Sequence, residues 1–144
     1  MIELLSPNDC ESILEYVASH SLYKESPIFG SLDLMTLRNM MFYNQLILVG
    51  EKTADTSLIN LFVISVPGVE SLIKSCTVVY YSPDYVFISQ ALDMIREVLG
   101  SDYSKIKVKL YNHADSQLLV DSGFISEVNH DSDNGSMAIY SYFF

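Results

Sequence analysis

The chain has 144 residues, the length of one ordinary domain, and 49% of them are hydrophobic, including ten Tyr and seven Phe. A single compact domain over residues 1–144 with one core is therefore expected. Eight Lys and Arg stand against eighteen Asp and Glu, a formal charge of −10. That charge repels phosphate backbones and anionic lipid, which excludes nucleic acid and membrane surfaces as partners.

The N-terminus MIELLSPND has no basic region followed by a long apolar segment. The apolar run 58–66 is far too short to cross a bilayer, so a soluble, cytoplasmic chain is expected. Cys10 and Cys76 fall in a helix pattern and a strand pattern with no metal-ligand spacing, as suits buried thiols in a reducing compartment.

In chain order, residues 2–5 read as a short strand, and Ser6, Pro7 and Asp9 supply a cap, a first-turn proline and an acid for a helix start. Cys10, Ile13, Leu14, Val17 and Ala18 recur at helical spacing, and His20 marks the end. After a loop with Pro27 and Gly30, a second helix carries Leu34, Leu37 and Met41, with Ser31 as its expected cap.

Residues 45–49 and 58–66 read as an antiparallel hairpin, closed by Pro67 and Gly68, and 72–81 as the next strand. Beyond Ser82 and Pro83, Ile88, Leu92, Ile95 and Leu99 form a helix stripe stopped by Gly100. Lys105 to Leu110 alternates lysine with aliphatic residues, the period of a strand with one apolar and one charged face. Asn112 caps a short helix with Ala114, Leu118 and Leu119, stopped by Gly123. The last two strands, 124–129 and 136–144, meet through a turn at 133–135. The order is β α α β β β α β α β β.

Three local features carry a resemblance. Pro83-Asp84-Tyr85 ends the fourth strand, the six residues Val86, Phe87, Ile88, Ser89, Gln90 and Ala91 follow, and Asn112 is spaced from Leu119, Gly123 and Phe124 by seven, four and one residues. Together with the element order they resemble the GNAT superfamily of acyl-coenzyme A dependent N-acyltransferases, over nearly the whole chain. The family has a Pro-acid-aromatic triplet, then Arg or Gln, two residues, Gly, one residue, Gly or Ala. Its later motif is Asn, then Tyr, Gly and Phe at the same distances.

The resemblance implies an α/β (α+β) fold. Six to seven mostly antiparallel strands form a central sheet, flanked by about four helices and splayed between strands four and five. It implies acyl-CoA, acetyl-CoA first, as the cofactor, held along Val79, Tyr80 and Tyr81, on the loop Val86, Phe87, Ile88, Ser89, Gln90 and Ala91, and at Asn112. The acceptor would be the amine of a small molecule or peptide.

The departures from the family are chemical. Val86 replaces the basic or amide residue, the side chains of Phe87 and Ser89 stand where access to the diphosphate is normally left open, and Leu119 replaces the tyrosine that reprotonates the leaving thiolate. Tyr81 and Tyr111 are the substitute acids named here, with Tyr80 beside them, and Glu70 is the family-like base. Each also has an ordinary reading as a packing aromatic or a soluble turn acid.

His113 in a first helical turn could act as a base, while His20 and His130 read as helix-end and loop residues. The three histidines have no metal spacing, so no metal is expected. Lys105, Lys107 and Lys109 form a basic strip, read first as a solvated face that discourages edge pairing. The closing YSYFF reads as a packed last strand, with an edge that joins a second subunit as the alternative. Two functions stand open: an N-acyltransferase, or a GNAT-fold binding or regulatory module acting through a protein partner or a ligand other than CoA.

Overall fold

The computed structural model describes residues 1–20, 32–68, 72, 74–110, 114–132 and 135–144. Seven strands form one sheet: β1 (Ile2–Leu4), β2 (Leu46–Lys52), β3 (Leu58–Ser65), β4 (Ser75–Tyr81), β5 (Lys105–Leu110), β6 (Ile125–Ser132) and β7 (Gly135–Phe143). Their lateral order is β1-β2-β3-β4-β5-β7-β6. Every neighbouring pair is antiparallel except β4 and β5, which run parallel.

Alternation along the strands sends their apolar side chains to two faces, and helices close both. On one face α1 (Cys10–Ser19) and α2 (Leu34–Phe42) bring Ile13, Val17, Leu37 and Met41 against Leu48, Leu61, Val63 and Tyr80. The strand residues of this cluster come from β2, β3 and β4 alone. On the other face α3 (Tyr85–Leu99) and α4 (Ser116–Asp121) cover Phe62, Ile64, Val78, Ile106 and Val108. The α3 stripe is Phe87, Ile88, Ala91, Leu92, Ile95 and Leu99, all buried. Burying each large aliphatic or aromatic member contributes about 2 kcal/mol relative to exposure, so α3 is held by packing rather than by helix propensity.

The order of elements matches the sequence reading, and several boundaries do not. Asp33, not Ser31, caps α2: its carboxylate accepts from the Thr36 amide at 2.7 Å, while Ser31 lies outside the described residues. A 3-10 turn at Pro7–Asp9 precedes α1, and the Asp9 carboxylate takes the Ser6 amide at 2.8 Å. β2 continues through Gly50, Glu51 and Lys52 because β1 and β3 pair with it on both sides. β4 starts at Ser75 rather than residue 72, and Leu72 is 98% exposed.

The strip on β5 does not guard an edge, because β5 lies between β4 and β7. The closing strand β7 is likewise interior, and β6, beside it, is an edge strand. Among the described residues no helix is long and apolar enough to cross a membrane.

Gly123 ends α4 with φ +105, and an added Cβ would stand 3.4 Å from the Tyr142 ring. The Gly123→Ala variant is expected to lose about 1–2 kcal/mol in urea unfolding with an unchanged m-value, because the strain is local. Cys10 and Cys76 are both free and buried. Burial pushes the Cys76 thiol up to about 11. At pH 8 only about one molecule in a thousand then carries the thiolate. A thiol-specific reagent should leave the native protein unmodified and label both cysteines once urea unfolds it. Rapid labelling of folded protein would contradict this burial.

Candidate functional site

β4 and β5 share three rungs, Ser75↔Lys105, Cys76↔Ile106 and Thr77↔Lys107. β4 then continues to Tyr81 along β3, and β5 to Leu110 along β7, without further pairing between them. The parting has a local cause. Along β3 the register passes from Ile64↔Val78 to Val63↔Tyr80, so Val79 is an extra residue on β4. A bulge of this kind bends its strand and increases its twist, which carries the end of β4 away from β5. The β5-facing backbone of residues 78–81 is left as an open edge.

Side chains of opposite sense flank that edge. Tyr80 is fully buried on the α1 and α2 face, edge-on to the Tyr16 ring at 6.2 Å. The Tyr16 hydroxyl lies 2.6 Å from Ser82 Oγ, which also accepts from the Leu61 amide at 2.9 Å. α1 thereby fixes where β4 ends. Tyr81 points to the other face, 1% exposed, and its hydroxyl donates to Asp115 Oδ2 at 2.5 Å. Asp115 precedes α4, so this bond joins the end of β4 to the element that follows β5.

α3 begins immediately after the gap. Pro83 cannot continue β4, Asp84 is extended (φ −132, ψ 105), and the helix starts at Tyr85. Residues 86–91 are therefore helical rather than a loop. The Phe87 amide donates to Asp84 Oδ1 at 3.1 Å, and the Ile88 amide to the Asp84 carbonyl at 2.9 Å. A helix start favours an anion because its first amides lack intrahelical acceptors. Here the protein's own carboxylate occupies the third of them.

Phe87 does not obstruct this helix start as its place in the sequence suggested. It is 1% exposed and packs into the core with Ile88 and Ala91. The Ser89 hydroxyl turns back to the Tyr85 carbonyl at 2.8 Å. Val86 is 51% exposed and Gln90 is exposed. No Lys or Arg occurs in residues 82–91.

Of the other sequence-derived candidates, Glu70, Tyr111, Asn112 and His113 lie outside the described residues. Leu119 is 1% exposed in the α3 and α4 core, where it has no proton to give. Tyr80 faces away from Tyr81, so the two are not alternatives for one position. His20 stacks on Tyr16 with ring centroids 4.1 Å apart.

Lys105 pairs with Glu127 at 2.9 Å. The Ser141 hydroxyl first, then Lys105, hold the Glu127 carboxyl below the usual carboxylate range. No group of metal-ligating residues occurs among the described residues.

Sequence reasoning missed Asp115 as a partner of Tyr81, since 34 residues separate them. The Asp84 cap was legible: an Asp three residues after a strand end and three before Phe87 is the pattern of a side chain reaching an N3 amide. Replacing Asp84 with Ala should cost about 1 kcal/mol of stability by urea unfolding, the usual worth of such a cap. An unchanged midpoint would mean that the carboxylate does not hold that amide in solution.

No protein-family model and no curated protein sequence matches the chain. Solved structures do. A GNAT-family acetyltransferase from Streptococcus pneumoniae superposes with a TM-score of 0.74 at 11% identity, covering 100% of this chain and 99% of that one. Spermidine N-acetyltransferase from Vibrio cholerae, solved in complex with CoA and spermine, gives 0.70 at 14% identity, covering 99% and 94%. Ribosomal-protein-S5-alanine acetyltransferase from Vibrio fischeri gives 0.67 at 14%, covering 99% and 91%. The seven-stranded sheet, its one parallel pair parting at the C-terminal ends, and the helix that starts beside that gap make this a chain with the GNAT acetyltransferase fold.

Proposed function

We propose that the protein is an N-acyltransferase that takes an acyl group, acetyl first, from an acyl-coenzyme A thioester and passes it to the amine of a small molecule or peptide. The observation that carries this reading is the gap beyond Thr77↔Lys107 with the Tyr81–Asp115 pair beside it. The structural neighbours named above, one of them solved with CoA, support the same chemistry for the fold. The acidic surface would draw in a cationic acceptor.

The two ends of such a donor fit unequally. The open backbone edge at residues 78–81 suits an extended, amide-bearing arm, which would add to β4 as a strand does. The helix start suits a diphosphate less well, because the Asp84 carboxylate already takes the Phe87 amide and residues 82–91 contain no Lys or Arg. The donor supplies the activated carbonyl, and the chain's own groups hold and move protons. Asp115 Oδ2 receives the proton that the amine must lose, and Tyr81 Oη gives its proton to the departing sulfur. The 2.5 Å bond between them returns the proton to tyrosine. The net transfer is one proton from amine to thiol, with the residues restored.

Tyr81→Phe and Asp115→Asn are each expected to lower kcat by about a hundred- to ten-thousandfold in a thiol-release assay, with native circular dichroism. Full activity in both would remove the pair from the reaction. A second reading, a non-catalytic module on the same fold, is favoured by Val86, which leaves the helix start without a basic or amide side chain, and by Leu119. Isothermal titration separates the two: acetyl-CoA binding that tightens in Asp84→Asn, which keeps a cap oxygen but loses the charge, supports the transferase. No heat at millimolar acetyl-CoA in either protein supports the module.

A further inference from the structure

A second constellation lies on the opposite sheet face from α3, where α1 and α2 stop covering the sheet. Ser65 pairs with Thr77, Thr77 with Lys107, and Lys107 with Ser141. Directly paired residues point to the same side, so these four form a row across β3, β4, β5 and β7. Three of them, with Ser75 one step along β4, line a groove of about 520 Å³. Its remaining wall is Met40, Val66 and Pro67, all half-buried, with Gln45 at the rim.

Among the described residues the groove is lined by donors and by no carboxylate. Lys107 makes no hydrogen bond or ion pair among the described residues, nor do the hydroxyls of Ser65, Ser75 and Thr77. The neighbouring acid, Glu127, is already taken by Lys105 and the Ser141 hydroxyl, and feels Lys107 only through its charge. An ammonium beside half-buried hydroxyls is the chemistry of an oxyanion site, since a charged partner makes the stronger hydrogen bonds. The apolar wall on the other side calls for a hydrocarbon body, and the volume is that of a small-molecule site.

We propose that this groove binds a small organic carboxylate, its oxygens on Lys107 and Thr77 and its hydrocarbon part against Met40, Val66 and Pro67. A cation is disfavoured by Lys107, and a bare inorganic anion leaves the apolar wall unused. The site is independent of the acyl-transfer reading, because it stands on its own lining and lies beside rungs of β4 and β5 that remain paired.

The test is a titration of the full-length, isotopically labelled protein by amide NMR with hexanoate, hexylamine and inorganic phosphate. Hexanoate should shift the amides of Ser65, Thr77 and Lys107, while hexylamine leaves them in place and phosphate binds more weakly. Lys107→Met should weaken hexanoate by about ten- to a hundredfold, the worth of one charged hydrogen bond. Thr77→Val should weaken it by a few-fold, about one neutral hydrogen bond.

Lys107→Arg, which keeps the charge, should retain binding, and it serves as the second variant should Lys107→Met fail to fold. Absence of hexanoate binding at about 10 mM, weaker than a specific small-molecule site, overturns the proposal. So do equal affinities for hexylamine or phosphate, shifts confined to other residues, unchanged binding in Lys107→Met, and lost binding in a folded Lys107→Arg.

Discussion

The proposed acyl-transfer site depends on the place where β4 and β5 stop pairing. Parallel strands joined by a crossover helix ordinarily stay in register along their shared length, and here three rungs are made before each strand follows its other neighbour. The extra residue at Val79 bends β4, while the antiparallel pairing of β5 with β7 continues over Val108, Lys109 and Leu110. The two bonding partners pull the strands apart. The result is an open backbone edge inside the sheet, something a protein otherwise avoids.

The surroundings hold that edge open. α1 pins the end of β4 through the Tyr16–Ser82 bond on one face, and the Tyr81–Asp115 bond ties it to α4 on the other. Phe87 and Leu119, the two apolar replacements that look most like obstructions in the sequence, are instead core residues on the α3 side. Their burial explains how apolar side chains stand at these positions without disturbing the start of α3. The changed chemistry lies at Val86 and Ser89, while Asp84, an acid that the resembled pattern shares, places its own negative charge at the helix start. A ligand approaching the start of α3 meets one amide already taken by Asp84 and no Lys or Arg in residues 82–91.

The two faces of the same strands carry different chemistry because alternation separates them. Val78 and Tyr81 belong to the α3 side, while Thr77 and Tyr80 look toward α1 and α2, with the bulge at Val79 between them. Lys107 is a case where the strip of lysines read from the sequence acquires a different meaning. On an edge strand it would be a guard against aggregation. On an interior strand, opposite Thr77 and beyond the reach of the covering helices, it becomes part of a groove.

The amino-acid sequence by itself determined the order of the elements and which face of each is apolar. Those properties are local: the alternation in Lys105 to Leu110 and the stripe Ile88, Leu92, Ile95 and Leu99 fix strand and helix from neighbours a few residues away. The triplet Pro83-Asp84-Tyr85 likewise announced where β4 ends and α3 begins. Only the tertiary structure decided that Tyr81 meets Asp115, and that Ser65, Thr77, Lys107 and Ser141 line up. Each of these depends on lateral register between strands distant in sequence, and a shift of one residue would turn every side chain concerned to the opposite face.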